Sequence, residues 1–275
     1  MFRLPDWMVY GGIIGLLVAV SLTRREQADA PPAPTMPGEE ELGALLGPIT
    51  PFDPQVVVDT PAVPFQPQSG TAFAVSGQGL WLTARHVVEG CGRPAVVIGG
   101  GQAVAAEARL SHDGDVALLI TEGGPDPLPI ARDGVLREGQ RGYHPGFPQG
   151  RPGEAATRLL GRESLRVRGR GARDEPVLAW AEIGRTEGLE GTLAGLSGAP
   201  TLDGQGRVVA VTIAEAPRRG RIYTTAPESL GPILEAEVGE GEFAPGALIR
   251  PTNYGPVSDD LRRELRVAQV VCLQA

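Results

Sequence analysis

The sequence contains no lysine: all 25 of its basic residues are arginine, against 33 acidic residues and three histidines. The formal charge of −8 argues against a nucleic-acid-binding surface, which needs a basic face to neutralise phosphates. Only two cysteines, Cys91 and Cys272, are present, too few for a disulfide scaffold and without the spacing of a metal site. We therefore expect no metal or other cofactor, and at most one disulfide bridge.

Good helix-forming composition is also lacking, because glycine (39) and proline (26) together make up almost a quarter of the 275 residues. A helical bundle is therefore excluded as the main architecture. The apolar content of 41% rules out disorder throughout the chain. One compact unit of roughly 150 to 200 residues with appendages is expected at this length.

Residues 1–26 are predicted to form a transmembrane or signal-anchor segment. The run from Met8 to Leu22 is apolar and carries no charge, and two arginines follow it closely. Its fifteen residues span roughly 22 Å as a helix, which is short for a bilayer but sufficient for a signal sequence or a short anchor. Residues 28–30 have the small-x-small form of a cleavage site, yet the charges before them favour an uncleaved anchor.

Residues 27–68 are predicted to be a linker. They are rich in proline, alanine, glycine and acidic residues, as in the segments 31–34 and 61–64. Because proline-rich chains form semi-extended spacers, we expect this segment to hold a folded domain away from a bilayer.

From Gly70 onward the chain changes to short apolar or alternating runs separated by glycine turns, a pattern typical of β-strands. The turns include residues 76–79 and 99–101, where glycine tolerates the positive φ of a hairpin. Helical periodicity appears only late, around residues 228–235 and 259–267. The strands fall into two groups, which predicts an all-β domain of two packed barrels or a large sandwich.

Few residues qualify as a general base, since the chain has only three histidines. His86 follows a predicted strand, His112 lies in an acidic turn, and His144 lies in a turn-rich stretch where we expect a role in surface or turn packing. Ser197 is the candidate nucleophile, because glycine nearby on both sides frees its backbone to approach a substrate carbonyl. Serine in a glycine turn is common, so this string alone does not identify an enzyme.

Three segments together carry a stronger signal. They are residues 82–88 (LTARHVV), 115–119 (DVALL) and 195–200 (GLSGAP). In order and spacing they resemble the trypsin-like, chymotrypsin-fold serine peptidases, and among these the bacterial HtrA (DegP-like) branch. The resemblance covers roughly residues 68–234. It implies two packed six-stranded antiparallel β-barrels over residues 69–236, followed by an extension at 237–275 with short helices.

The resemblance also implies roles for individual residues. His86 would act as general base, Asp115 would fix the imidazole tautomer, and Ser197 would be the nucleophile. The backbone N–H groups of Gly195 and Ser197 would form the oxyanion hole. Asp113 is the alternative to Asp115, which we prefer because it stands directly before an apolar strand, whereas Asp113 precedes a glycine and suits a turn.

The sequence departs from the family pattern near the nucleophile. Leu196 replaces the acidic or asparagine residue usual there, and Ala199 replaces the second glycine of the motif. About 40 residues follow Ala236, fewer than a PDZ domain needs, so the PDZ module of HtrA proteins is not expected. The two substitutions keep a second hypothesis open, a catalytically silent module of the same fold that binds extended peptides along the cleft.

Substrate specificity is expected to depend on two segments, residues 192–194 and the strand 208–214, which should border the S1 pocket. No acidic residue is evident at the base of this pocket, so we expect small or apolar P1 side chains. Glu190 and Glu215 lie near enough in sequence to change this expectation.

Two further features lie outside these motifs. Cys91 and Cys272 form either a disulfide bridge that staples the tail across the first barrel, which requires an oxidising compartment, or a pair of buried thiols. A basic stretch is interpreted as a solvated hairpin rather than a binding patch. It consists of Arg162, Arg166, Arg168, Arg170 and Arg173.

The leading hypothesis is a membrane-tethered serine endopeptidase that acts on proteins or peptides. We expect a single-pass protein of a bacterial cytoplasmic membrane, with its catalytic domain on the periplasmic, extracytoplasmic side. Arg24 and Arg25 oppose this orientation, because the positive-inside tendency would hold the chain that follows them in the cytoplasm. The sequence indicates no oligomeric state.

Overall fold

The computed structural model describes residue 14 and residues 28–31, 42–60, 69–112, 114–132, 135–169, 172–216, 219–237 and 245–273. The predicted membrane segment, residues 1–26, lies outside these ranges except for Ile14, and so does Asp113. Within the ranges described, no helix combines the length and the apolar character that crossing a bilayer requires.

Fourteen strands and three α-helices have described bounds. The strands are β1 (Gln55–Thr60), β2 (Gly70–Ser76), β3 (Leu80–Thr83), β4 (Pro94–Gly99), β5 (Gln102–Ala105), β6 (Glu107–Leu110), β7 (Ala117–Ile120), β8 (Arg141–Gly146), β9 (Gly153–Gly169), β10 (Arg173–Arg185), β11 (Pro200–Leu202), β12 (Val208–Ala216), β13 (Arg221–Thr225) and β14 (Val267–Cys272). The helices are α1 (Arg85–Val88), α2 (Pro227–Glu237) and α3 (Tyr254–Arg263). The predicted mostly-β fold is confirmed.

The first barrel contains the hairpin of β2 and β3, whose turn is the predicted glycine turn at residues 76–79. Gly79 has a φ of +89°, and a Cβ on it would clash with the carbonyl oxygen of Thr121. Glycine alone meets both conditions, the left-handed backbone and the close approach. The turn directs β3 onto its antiparallel partner β7.

The sheet of the first barrel has the strand order β5-β4-β14-β2-β3-β7-β6. Its two end strands, β5 and β6, are separated in the chain only by Ala106, so the sheet curves back on itself. If β5 and β6 are counted as one bent strand, the barrel has the six strands that the family resemblance implies.

The sheet of the second barrel has the order β1-β9-β10-β13-β12-β11-β8, and β8 also pairs with β9. This additional pairing closes a ring of six antiparallel strands, from β8 to β13. β1 lies outside the ring and runs parallel to β9, with Gln55 opposite Ser164. The ring is the second six-stranded barrel that the resemblance implies, and β1 is an addition to it.

The C-terminal residues differ from the predicted extension at 237–275. Residues 267–272 form β14, which pairs antiparallel with β2 and β4 inside the first barrel. A disulfide between Cys91 and Cys272 ties the end of β14 to the segment after α1. The helix predicted at 259–267 instead ends at Arg263, before this strand. Sequence periodicity missed β14 because its partners in β2 lie nearly 200 positions earlier.

The predicted linker contacts the folded domain in each part that the structure describes. Residues 28–31 lie against α3, where the Ala30 N–H donates to Asp259 Oδ1 at 2.7 Å. Residues 43–46 exchange backbone hydrogen bonds with residues 136–138, and β1 extends the second barrel. These parts differ from a detached spacer, because their backbone groups find partners on the domain.

Candidate active site

His86 and Asp115 meet in the first barrel. His86 lies on α1, which follows β3, and Asp115 lies just before β7, the neighbour of β3 in the sheet. Asp115 Oδ2 is 2.6 Å from Nδ1 of the His86 ring, and Oδ1 accepts the His86 backbone N–H at 2.9 Å. The carboxylate therefore fixes both the ring and the helical turn that carries it, and Nε2 is the ring nitrogen that Asp115 does not bind.

The surroundings of this pair favour its charged form. The side chain of Asp115 is 2% exposed and that of His86 is 31% exposed. Burial by itself lowers the pKa of His86, but the charge and hydrogen bond of Asp115 outweigh it, so this pKa is raised above its ordinary value of 6.5. Burial by itself raises the pKa of Asp115, but His86 and Arg173 outweigh it and hold this pKa below its usual range. An ionised carboxylate beside a more basic imidazole suits general-base chemistry.

Two charged residues of the second barrel complete the surroundings of Asp115. Arg173, at the start of β10, places Nη2 2.7 Å from Asp115 Oδ2 and donates from Nε to Glu175 Oε1 at 2.7 Å. Glu175 Oε2 accepts the backbone N–H of Asp115 at 2.8 Å. The side chain of Glu175 is 1% exposed. Asp115 is thus held by residues from both barrels.

Ser197 lies in a tight turn that precedes β11. Gly195 and Gly198, on either side of it, have φ values of +97° and +89°, which glycine adopts without strain. A Cβ on Gly198 would clash with the carbonyl oxygen of Thr71, and one on Gly195 would lie 2.5 Å from the carbonyl oxygen of Phe147. Backbone angle and lack of space together explain why glycine stands at both positions.

This turn packs against the segment that carries His86. The Ser197 carbonyl accepts the N–H of Thr71 at 2.8 Å. A Cβ on Gly198 would lie 2.9 Å from the nitrogen of Ala84, the residue before α1. The fold therefore brings the serine turn to the histidine helix. Among the described residues, no hydrogen bond joins the Ser197 hydroxyl to His86; such contacts often tighten only when substrate binds.

The N–H groups of Gly195 and Ser197 are the predicted oxyanion donors. Neither donates a hydrogen bond to another residue within the described part of the chain. Between them, the N–H of Leu196 does so, bonding to the Leu193 carbonyl at 2.8 Å. The two N–H groups that a substrate carbonyl oxygen would need are thus the ones without a partner in this turn.

The two departures from the family pattern are packed in the core of the second barrel. Leu196 and Ala199 are 1% and 0% exposed. Both approach Gly146, where a Cβ would lie 2.9 Å from a methyl group of Leu196 and 3.3 Å from Ala199. Ala199 is not among the described non-glycine residues with positive φ, so its methyl group adds no left-handed strain. The turn accommodates both side chains.

A cavity of about 190 Å³ lies beside Ser197. Its other lining residues are Leu193, Ala194, Leu196, Thr212, Ala214, Glu215 and Ile222. Of the two acidic residues that could alter the expected apolar pocket, Glu215 therefore lines it. The Glu215 carboxylate accepts the Leu193 N–H at 2.8 Å and the Thr192 hydroxyl. This carboxylate holds in place the segment that precedes the nucleophile.

The remaining candidates take no part in this arrangement. His144 is fully buried on β8 and not in a surface turn as expected; its ring nitrogens lie 2.9 Å from Thr212 Oγ1 and 2.8 Å from Thr157 Oγ1. Burial lowers the pKa of His144 to about 3, so the ring stays neutral and serves packing inside the barrel. His112 is exposed, and Cys91 is bonded to Cys272.

Sequence reasoning missed Arg173 and Glu175, because it assigned Arg173 to a solvated hairpin. Arg166 fits that interpretation, since it pairs with Asp174 and both side chains are more than 40% exposed. The available signal was the period of two in a strand: residues 173 and 175 share one face of β10, and residue 174 takes the other.

Two β-barrels, with a histidine and an aspartate in the first and a glycine-flanked serine in the second, are the arrangement found in trypsin-like serine peptidases. The chain belongs to this family: the family model described as a trypsin-like peptidase domain matches residues 70–211, just over half of its 275 residues. The remainder of β12 after Val211, together with β13, β14, α2 and α3, lies beyond that match. No curated protein matches the sequence.

Several solved proteases are similar to this chain in structure at low sequence identity. The active form of the Rv3671c protease from M. tuberculosis is 21% identical, with a TM-score of 0.48 over 73% of this chain and 97% of that chain. The HtrA-type protease AlgW with a decapeptide is 17% identical, with a TM-score of 0.48 over 63% and 52%. The serine endoprotease from Yersinia pestis is 18% identical, with a TM-score of 0.45 over 62% and 57%.

Proposed function

We propose that this chain is a serine endopeptidase that hydrolyses peptide bonds of protein or peptide substrates, with His86, Asp115 and Ser197 as its catalytic triad. The observation that carries the proposal is the contact of Asp115 with His86, in which one buried carboxylate binds both the ring and the backbone N–H. A histidine that only fills space needs no ionised partner, as the threonine-bound His144 illustrates.

In the proposed reaction, His86 Nε2 takes the proton of Ser197 Oγ while this oxygen attacks the carbonyl carbon of the substrate. The N–H groups of Gly195 and Ser197 stabilise the negative charge that develops on the carbonyl oxygen. His86 returns the proton to the leaving amine as the C–N bond breaks. Water then releases the acyl group by the same route, and Asp115 stabilises the imidazolium in both halves.

The cavity beside Ser197 supports a preference for small or medium-sized apolar P1 side chains. Its lining is apolar apart from Ser197, Thr212 and Glu215. Both oxygens of Glu215 already accept the N–H of Leu193, and one also accepts a hydroxyl. A carboxylate with these partners attracts a basic P1 side chain less than an unbonded one would.

The proposal is tested by hydrolysis of a fluorescence-quenched peptide library with the full-length chain in detergent. Replacement Ser197→Ala is expected to lower kcat/KM by about 10⁴-fold or more, because it removes the nucleophile. The matched control is Ser76→Ala, which removes a hydroxyl from the turn between β2 and β3 and should leave kcat/KM unchanged. Peptide binding without turnover, equal in the wild type and Ser197→Ala, would favour the catalytically silent peptide-binding module instead.

We also propose that the N-terminal segment tethers the peptidase to a bacterial cytoplasmic membrane, with the catalytic domain on the extracytoplasmic side. The apolar run 8–22 supports the tether, and the disulfide supports an oxidising compartment. Arg262 Nε donates to the carbonyl of Ala28 at 3.0 Å. At about 3.5 Å per residue, the chain between Leu22 and Ala28 then keeps α3 within roughly 20 Å of the bilayer.

Protease shaving of intact spheroplasts tests this orientation. A C-terminal epitope should be digested from the outside, together with that of an extracytoplasmic marker. Protection of the epitope until the cells are lysed would place the domain in the cytoplasm and overturn the proposed location, without bearing on the triad.

A further inference from the structure

Arg173 and Glu175 reach from the second barrel to Asp115, one to its carboxylate and the other to its backbone N–H. We propose that these two residues are positioning residues of the catalytic site, which hold Asp115 against His86 and balance the charge behind it. The inference rests on the proposed function of His86 as general base. It concerns residues that contact Asp115 and not the substrate.

The geometry creates a competition at a single oxygen. Asp115 Oδ2 lies 2.6 Å from His86 Nδ1 and 2.7 Å from Arg173 Nη2. The guanidinium is permanently charged, so it opposes the gain of a second positive charge on the imidazole. Without a compensating negative charge, Arg173 would weaken the stabilisation that Asp115 gives to a protonated His86.

Glu175 supplies the balance. Its Oε1 accepts from Arg173 Nε at 2.7 Å and its Oε2 accepts the Asp115 N–H at 2.8 Å, so both oxygens have donors, as an ionised carboxylate requires. Burial and the charge of Asp115 raise the pKa of Glu175, whereas Arg173 and the bond from the Asp115 N–H lower it. With Glu175 ionised, Asp115, Arg173 and Glu175 together carry one net negative charge, the same as an isolated aspartate. The side chains of both carboxylates are at most 2% exposed, where an ionised group is stable only with such partners.

The pair also restricts the position of the Asp115 backbone. A Cβ on the preceding residue, Gly114, would lie 3.1 Å from Glu175 Oε2 and 3.0 Å from Cβ of Ser229 on α2. The loop before β7 is thus in close contact with both β10 and α2 of the second barrel. A displacement of one barrel relative to the other would therefore move the carboxylate that orients His86.

Among the residues that the structure describes, few charged groups act on this cluster. His86 is influenced by Asp115, Arg173 and Glu175, of which only Arg173 opposes its protonation. Glu89, directly after α1, also attracts Arg173, but its carboxylate is bound by Arg85 Nη2 at 2.7 Å. Arg173 and Glu175 are therefore the charges whose removal should change the titration of His86 in opposite directions.

The test is a histidine NMR titration of the full-length chain, labelled with ¹³C-histidine, in the inactive Ser197→Ala background. Only three histidines are present, and His112→Gln assigns one of them. Glu175→Gln should move the midpoint of His86 to lower pH, because Arg173 is left unbalanced. Arg173→Gln should move it to higher pH, and the double variant should return it toward the starting value.

Asp174→Asn is the matched control, because Asp174 lies between the two residues but pairs with Arg166 on the exposed face. This variant should leave the His86 midpoint unchanged. In the active chain, one pH unit below the wild-type midpoint, Glu175→Gln should retain a two- to threefold larger fraction of its maximal fluorophosphonate-labelling rate, roughly what a half-unit displacement of the acid limb gives.

A His86 midpoint that is the same in Glu175→Gln, Arg173→Gln and the parent overturns the inference. If Glu175→Gln does not fold by near-ultraviolet circular dichroism, Arg173→Gln decides alone, and an unmoved midpoint overturns it. The titration does not require turnover. If Glu175→Gln lowers and Arg173→Gln raises the His86 midpoint but the probe never labels Ser197, the result would support the charge balance and contradict the proposed function.

Discussion

Each barrel holds a histidine whose ring is hydrogen-bonded, at one nitrogen in His86 and at both nitrogens in His144. The two rings differ in the groups that face them. His86 in the first barrel is partly exposed and contacts a carboxylate, whose charge and hydrogen bond outweigh the effect of burial and raise the pKa of His86. His144 in the second barrel contacts only threonine hydroxyls and is fully buried, which lowers its pKa to about 3. The comparison teaches that partner and exposure, and not the presence of a histidine in a loop-rich sequence, decide which ring exchanges protons.

The largest expected effect removes the feature that distinguishes the two rings. Asp115→Asn replaces the ionised partner of His86 by an amide, which neither stabilises an imidazolium nor enforces the correct tautomer. We expect kcat/KM for peptide hydrolysis to fall by about 10⁴-fold. Asp203→Asn is the control, since Asp203 is a buried carboxylate of the second barrel that pairs with Arg207. Equal activity losses in both variants would indicate a general loss of structure.

The next largest effect is on the free energy of unfolding at acidic pH, and it depends on His144. Its pKa is about 3 in the folded chain and about 6.5 in an unfolded chain. The unfolded state therefore binds a proton first, and as pH falls from about 6.5 to about 3 the free energy of unfolding should decrease by roughly 4 kcal/mol. Urea unfolding across this range measures the decrease.

His144→Gln should reduce this acid sensitivity, because an amide can bond to the threonine hydroxyls without titrating. His112→Gln, at an exposed position, serves as the control and should keep the wild-type slope. An acid slope unchanged by His144→Gln would show that carboxylates, and not this ring, control acid unfolding.

The smallest effect is the loss of activity at acidic pH. This loss depends on His86, whose pKa is shifted in the direction opposite to that of His144. The neutral ring is the active base, and the pKa of His86 is raised, so kcat/KM should fall as pH drops through a value above 6.5. Below the limb the fall should approach tenfold per pH unit. A pH profile of kcat/KM in the wild type and His112→Gln measures it, and a midpoint well below 6.5 would contradict the assigned environment.

The sequence motifs identified most of what is local in this site. Three predicted features depend only on neighbours within a few positions of the chain. They are the turn 76–79, the glycine-flanked Ser197 and the aspartate before β7, and the structure contains all three. Whether they catalyse hydrolysis stays a prediction. The glycine positions could be predicted because a backbone with positive φ favours glycine over other residues.

The features that the sequence did not predict depend on contacts between residues that are far apart along the chain. β14 pairs with strands near the start of the domain, and Arg173 contacts Asp115 from the other barrel. A basic stretch on a hairpin is usually solvated, and nothing local distinguishes Arg173 from Arg166 except its face of the strand. The packing of the two barrels determines which of these two arginines contacts Asp115, and a short stretch of sequence carries no information about that packing.

The most direct test of the account is to map the site of a fluorophosphonate adduct by mass spectrometry on the full-length wild-type chain. The account predicts one adduct, on the peptide that contains Ser197, which disappears in Ser197→Ala and forms far more slowly in Asp115→Asn. Equal labelling of the wild type and Ser197→Ala, or an adduct on a different residue, would contradict it.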